Sequence, residues 1–194
     1  IEDYFDSKFI DMIPKVDLVL VPEHCFGGME NWGCITLHAT ESGLNDSNKK
    51  KKQEKQDAFV ELIIHELAHF FVGNLVSFPI AIKEGLAQYF EKAIGDQIIG
   101  RSTPSINMYK DSTSANTIEN NKRMTTTSDQ QSLKENFSSM FNGLSYDASL
   151  NFICDLIKSS GGQEVFKGRM QQMVQEYQYQ YLSHEQFMQF ILGK

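Results

Sequence analysis

Two histidines and two glutamates, Glu61 and Glu66, interrupt an otherwise apolar stretch, FVELIIHELAHFF, at residues 59–71. Residues four apart on a helix lie on the same face, so His65 and His69 would point in one direction, spaced for two imidazole ligands on one metal ion. Glu66 would lie about 100° round the helix from His65, where it can take a proton from a water molecule without binding the metal. This H-E-x-x-H arrangement predicts a zinc site with a general base beside it.

The alternative is a pair of buried core histidines that hydrogen-bond to each other. Two histidines and a carboxylate among apolar side chains are costly to bury without a partner, and this cost favours the metal. A catalytic zinc site needs a third protein ligand, and the candidate is Glu84 in the segment KEGLAQYFE. Its alternative role is that of a first-turn carboxylate that stabilises the dipole of a helix.

The first part of the chain is predicted to be strand-rich. β-branched and apolar residues predict a buried strand at 16–21 and a second strand at 34–39. A glycine-rich segment lies between these strands, and the polar residues 42–56 predict a surface loop.

The rest of the chain is predicted to be mainly helical. The apolar pattern predicts a helix over about 56–76, covered on both faces, and a second helix over about 80–95 after a break at 77–79. The remaining predicted segments are an irregular connection at 101–132, a helix from about 145 to 159, and an amphipathic helix over 163–177. A last helix is predicted to begin at a capping box of Ser183 and Gln186 and to run through Phe190.

Composition excludes several other classes of protein. The net charge is −7, from 18 basic and 25 acidic residues, which argues against nucleic acid as a partner. No apolar run approaches the roughly 18 residues of a membrane span. The three cysteines form no C-x-x-C pair, so a thiolate zinc site is not expected. The chain begins at Ile1, and we expect it to be part of a longer polypeptide whose compartment stays open, with the cytoplasm slightly favoured.

Short motifs in a fixed order resemble one family of enzymes, the zinc aminopeptidases of the alanyl and puromycin-sensitive type, which are gluzincins. The motifs are GGMEN at 27–31, HELAH at 65–69, GNLV at 73–76 and EGLAQYFE at 84–91. The resemblance covers nearly the whole chain and is weakest between about 95 and 132.

The family resemblance implies an α+β fold, a thermolysin-like zinc-peptidase catalytic core in which a short strand region precedes a mainly helical body. Residues 1–55 would form a strand-rich lobe that carries GGMEN, and residues 56–194 a helical zinc-binding lobe. The two lobes together would make one partial catalytic domain. Other domains of a longer polypeptide are expected as partners.

The implied activity is zinc-dependent hydrolysis of the amino-terminal residue of peptides. The resemblance assigns Zn²⁺ to His65, His69 and Glu84. It makes Glu66 the general base for the zinc-activated water, and it gives the Tyr146 hydroxyl the role of stabilising the oxyanion.

Substrate selection is assigned to GGMEN by the same resemblance. Glu30 would pair with the free α-ammonium group of a peptide substrate. The backbone of Gly27, Gly28 and Met29 would bind the peptide as an added strand. A further candidate is Glu91, which either orients a metal-binding histidine or is an exposed helix glutamate.

The sequence also departs from the pattern of the family. Fourteen residues, 70–83, separate His69 from Glu84, where the family has eighteen. Three side chains differ as well: Lys83 stands in place of the usual Asn, and Ala148 and Ser149 stand in place of a Lys-Gly pair. These departures favour an alternative function, a non-catalytic scaffold, whereas the retained ligands favour the enzyme. A thermolysin-type endopeptidase is a further alternative, but it would have no reason to keep GGMEN.

Overall fold

The computed structural model describes residues 1–43, 47–102 and 143–194, except for the side chains of Ile10 and of residues 143–147. It has helices and a few short strands, which confirms the predicted α+β class. None of the helices in these ranges is long and apolar enough to span a bilayer.

A three-stranded sheet follows a short helix α1 (Glu2–Phe5) and a 3-10 turn (Phe9–Asp11). Strand β1 (Asp17–Val21) pairs in parallel with β3 (Cys34–His38), and β3 pairs antiparallel with β2 (Gly28–Met29). The order β1-β3-β2 places β2 at an edge, beside the cleft described below.

The prediction that the first strand is buried was wrong. Leu18, Val19 and Leu20 of β1 are exposed, because among the described elements β1 packs chiefly on its neighbour β3 and neither of its faces is covered. The covered strand is β3, whose Ile35 and Leu37 are fully buried in a core cluster with Phe70 and with residues of the next helix.

Helix α2 (Lys49–Ala68) follows a 3-10 turn (Ala39–Ser42) and differs from its prediction at both ends. It begins seven residues early, inside the predicted loop, because the Asn48 side chain accepts hydrogen bonds from the N–H groups of Lys50 and Lys51. It also ends early. Gly73 adopts a φ of 144°, and its N–H donates to the carbonyl of Val76, so the chain turns back on itself. The apolar residues of this segment are buried in the core without being helical; they are Phe70, Phe71, Val72, Leu75 and Val76.

Helix α3 (Ile80–Ile99) starts at the predicted break, with Pro79 as its N-cap, and ends at Gly100 in the left-handed conformation. Between α2 and α3 lies the short strand β4 (Val76–Ser77). The predicted end near residue 95 was one turn too early, because the apolar pattern gives way to Asp96 and Gln97 while the helix continues to its glycine cap.

The C-terminal part contains α4 (Gly143–Ser160), α5 (Gln163–Glu176), β5 (Gln180–Tyr181) and α6 (His184–Leu192). Strand β5 pairs in parallel with β4, and the predicted capping box of Ser183 and Gln186 starts α6. Helix α4 packs against α3, and α5 and α6 pack against α4. Together they form the main core, which includes Leu86, Phe90, Leu150, Ile153, Met170 and Phe187. Most of the predicted connection at 101–132 lies outside the described residues.

Candidate active site

The side chains of His65, His69 and Glu84 converge on one point. The two Nε2 atoms lie 3.2 Å apart. Oε2 of Glu84 lies 3.3 Å from Nε2 of His65 and 3.6 Å from Nε2 of His69. Zinc holds its ligands tetrahedrally at about 2.0–2.1 Å, so neighbouring ligand atoms should be about 3.3 Å apart. The three separations therefore fit one zinc ion.

The other nitrogen of each ring faces a hydrogen-bond acceptor. Nδ1 of His65 lies 3.0 Å from Oε2 of Glu91, and Nδ1 of His69 lies 3.1 Å from the carbonyl oxygen of Val72. When Nδ1 donates its proton to such an acceptor, the lone pair on Nε2 is free to bind a metal. Both histidines are thus oriented with Nε2 toward the common point.

The tight turn between α2 and α3 determines where Glu84 lies. Helix α2 carries His65, and His69 follows at its C-cap in helical conformation. The chain then reverses at Gly73 and enters α3 after Pro79. The link between the helices is shorter than in the family pattern, yet it brings Glu84 within reach of both histidines.

The charges of this cluster favour a cation at its centre. Burial by itself would lower the pKa of His65, but hydrogen bonds to Glu84 and Glu91 outweigh burial and raise it to about 10. Burial lowers the pKa of His69. Burial would raise the pKa of Glu84, yet the two histidines hold it well below its usual value. Glu84 is therefore ionised, and the cluster stabilises positive charge beside it.

Glu66 lies beside the cluster and is almost fully buried, with 4% of its surface exposed. Burial raises its pKa to about 7, an effect that Glu30 and Glu84 reinforce and the nearby His65 opposes. A carboxyl group with a pKa near neutrality is well suited to take up and release a proton at physiological pH.

A second group of potential ligands overlaps the first. One carboxylate oxygen of Glu30, one of Glu66 and one ring nitrogen of His69 all lie within 4.8 Å of one another. The Lys83 ammonium forms an ion pair with Glu30 and would repel a metal ion held there. The group of His65, His69 and Glu84 is therefore the better candidate for a metal ion.

Glu30 follows β2 and faces the same cleft. The Asn74 side chain donates to the carbonyl oxygen of Glu30 at 2.7 Å, which anchors this segment to the turn after α2. Burial would raise the pKa of Glu30, but His69 and the Lys83 ammonium hold it below its usual value. The Glu30 carboxylate is therefore charged, and it is already paired.

The cleft between β2 and the two helices has a volume of about 420 Å³. That volume suits a small ligand or the end of a peptide. Its walls include Gly27, Gly28 and Met29 from the sheet edge together with the groups described above. Tyr146 belongs to α4, and its side chain lies outside the described residues.

The family profile described as the Peptidase family M1 domain matches residues 1–193. The chain belongs to peptidase family M1. This membership confirms the resemblance that the short motifs indicated.

Relatives of this M1 domain carry the names of aminopeptidases. The chain is 42% identical over 94 residues to endoplasmic reticulum aminopeptidase 2 of Bos taurus, a match that covers 46% of this chain and 9% of the relative. It is 33% identical over 108 residues to leucyl aminopeptidase of Saccharolobus solfataricus, over 56% of this chain and 13% of the relative. It is 34% identical over 93 residues to puromycin-sensitive aminopeptidase of Caenorhabditis elegans, over 46% of this chain and 9% of the relative. This chain thus matches only a small part of the length of these relatives.

Sequence reasoning missed two contacts in this M1 site. Asn74 anchors Glu30, and the only signal for this role was its place in the GNLV motif. Lys83 was noted as a departure from the family, but its ion pair with Glu30 was not foreseen. The two partners are 53 residues apart in the chain, too far for any local pattern to connect them.

Proposed function

We propose that this M1 domain is the zinc-dependent catalytic core of an aminopeptidase that releases the amino-terminal residue of peptides. The observation that carries the proposal is the fit of three ligand atoms, on His65, His69 and Glu84, to one zinc ion. The names of the relatives support the substrate class, peptides with a free amino terminus.

We assign the reaction to a zinc ion and three side chains. A zinc ion supplies Lewis-acid chemistry, because it polarises a peptide carbonyl and makes a water molecule more acidic. Glu66 takes a proton from the attacking water and delivers it to the leaving amine. Glu91 positions His65 through its hydrogen bond to Nδ1. Tyr146, on α4, is the proposed donor to the oxyanion.

We propose that the substrate binds in the cleft as an added strand. β2 forms the edge of the sheet, so the backbone of Gly27, Gly28 and Met29 can pair with an extended peptide. Glu30 at the end of this edge binds the α-ammonium group, which aligns the first peptide bond with Glu66 and the metal ligands.

The larger architecture is part of the proposal. We infer a thermolysin-like core with a strand-rich lobe over residues 1–55 and a helical zinc-binding lobe over residues 56–194, with α2 spanning the boundary. Other domains of a longer polypeptide would complete the enzyme.

The test is metal analysis and turnover of the purified chain. We expect one zinc per chain and zinc-dependent hydrolysis of alanine 4-nitroanilide. Glu66→Gln should lower the rate by about 10²–10⁴-fold with the zinc content unchanged. Glu84→Ala should lose the zinc.

Other outcomes identify the alternatives. Bound zinc without turnover would favour the scaffold, and cleavage of an amino-acetylated peptide would favour the endopeptidase. Unchanged zinc content in Glu84→Ala would remove Glu84 from the ligand set.

A further inference from the structure

A lysine of the protein is paired with the carboxylate that is proposed to receive the substrate amino group. The Nζ atom of Lys83 forms an ion pair with Oε1 of Glu30 and lies 3.7 Å from Oε1 of Glu84. The side chains of Lys83 and Glu30 are 21% and 13% exposed, so the pair is largely shielded from water. An ion pair shielded in this way is screened less than one on the surface.

The packing around Gly73 directs the Lys83 side chain into the cleft. Its aliphatic stem runs past Gly73, where a Cβ atom would lie only 3.0 Å from Cε of Lys83. The glycine thus leaves the space through which the lysine reaches the cleft. The φ of 144° at the same glycine also forms the turn that ends the α2 region.

Helix stability does not account for this lysine. Lys83 lies in the first turn of α3, where the positive end of the helix dipole disfavours a cation. The favourable partners are instead the carboxylates of Glu30 and Glu84. The Lys83 ammonium is therefore stabilised by the two carboxylates of the cleft and not by the dipole of its own helix.

A lysine ammonium and a peptide α-ammonium have the same charge and donate the same kind of hydrogen bond. We infer that Lys83 is a specificity-determining residue, whose ammonium group competes with the amino terminus of a substrate for Glu30. This inference depends on the proposed function, which gives Glu30 its role.

The competition weakens selection for a charged amino terminus. With Lys83 in place, the incoming ammonium group meets a carboxylate that is already neutralised, and it must displace the lysine or share one carboxylate with it. Without the lysine charge, Glu30 would offer its full charge to the substrate, and binding of a free amino terminus would tighten.

The test is a binding measurement in the zinc-loaded Glu66→Gln chain, where turnover is blocked. Calorimetry gives the Kd of trialanine amide and of its amino-acetylated form, each with Lys83, with Lys83→Met and with Lys83→Arg. We expect Lys83→Met to lower the Kd of the free-amine peptide by about tenfold or more. Glu30 would then form its charge-assisted hydrogen bond with the substrate alone, and such bonds are stronger than neutral ones. The acetylated peptide should change by less than about twofold. Lys83→Arg keeps the cation and should bind both peptides as Lys83 does.

The inference would be overturned if the free-amine peptide had the same Kd for the chain with Lys83 and for the Lys83→Met variant. It would also be overturned if Lys83→Met lowered the Kd of both peptides equally. Absence of binding of the free-amine peptide to Lys83→Met would overturn it too. Circular dichroism establishes that each variant is folded, and Lys83→Asn replaces Lys83→Met if the latter is not. The Kd values need no turnover, so they stand apart from the nitroanilide assay that tests the proposed function.

Discussion

Gly28 lies directly against the carboxylate group of Glu66. A Cβ atom at position 28 would lie 2.7 Å from Cδ and 2.8 Å from Cγ of Glu66, closer than carbon atoms approach one another in folded proteins. The edge strand and the proposed general base can therefore lie side by side only because residue 28 has no side chain.

The variant Gly28→Ala should lose activity while it keeps its metal. The added methyl group would push Glu66 or β2 out of place, and a displacement of about 1 Å at a reacting group can lower the rate by about 100-fold. The metal ligands are not touched, so metal analysis should find unchanged zinc. Gly168→Ala is the matched control, because a Cβ atom there meets nothing within 4 Å. Full activity in Gly28→Ala would show that Glu66 tolerates the methyl group.

The variant Gly85→Ala should destabilise the fold. A Cβ atom at Gly85 would lie 2.6 Å from the carbonyl oxygen of Ser149 and 2.9 Å from Cγ1 of Ile153, so α3 and α4 would have to separate. We expect a loss of about 1–3 kcal/mol in the free energy of unfolding, as for other overpacked cores. Urea denaturation in the presence of a chelator measures this loss apart from any change in zinc binding. If Gly85→Ala matches Gly168→Ala, the contact between the helices is not tight.

Removal of zinc should lower the melting temperature of the chain. The ion binds the folded ligand set of His65, His69 and Glu84, so free zinc at a thousandfold excess over its Kd should stabilise the fold by about 4 kcal/mol. Thermal unfolding with a chelator and with added zinc measures the shift. His69→Gln, which lacks one ligand, should show a much smaller shift. Identical melting temperatures in the two conditions would contradict the metal site.

The variant Glu91→Gln should weaken zinc binding. Its carboxylate fixes Nδ1 of His65, and loss of such a partner typically costs about 10–100-fold in metal affinity. Titration against a chelating dye measures the Kd for zinc. Glu54→Gln is the matched control, because Glu54 lies on the exposed part of the same helix that carries His65. Equal loss of affinity in both variants would indicate an effect of net charge alone.

Local chemistry accounts for what the sequence predicted well. The i, i+4 spacing of His65 and His69 places both rings on one side of α2. The capping box of Ser183 and Gln186 marks the start of the last helix, because its hydrogen bonds lie within four residues. Such features need no knowledge of distant segments.

Helix ends and long-range contacts were harder to predict. The apolar run at 70–76 was assigned to α2, because periodicity does not separate a buried turn from a buried helix. The backbone hydrogen bonds of residues 70–76 and the conformation of Gly73 distinguish the two. The parallel pairing of β1 with β3, and the ion pair of Lys83 with Glu30, join segments that no local pattern connects.

The groups that form and orient the proposed metal ligand set come from one continuous stretch, residues 65–91. Glu30 and the strand that presents it come from a separate stretch and reach the cleft only through folding of the sheet. The proposed capacity to hold an ion therefore needs only residues 65–91, whereas the proposed choice of substrate needs Glu30 and Lys83 together, one from each stretch. Damage to the sheet edge would abolish the choice of substrate while sparing the capacity to hold an ion.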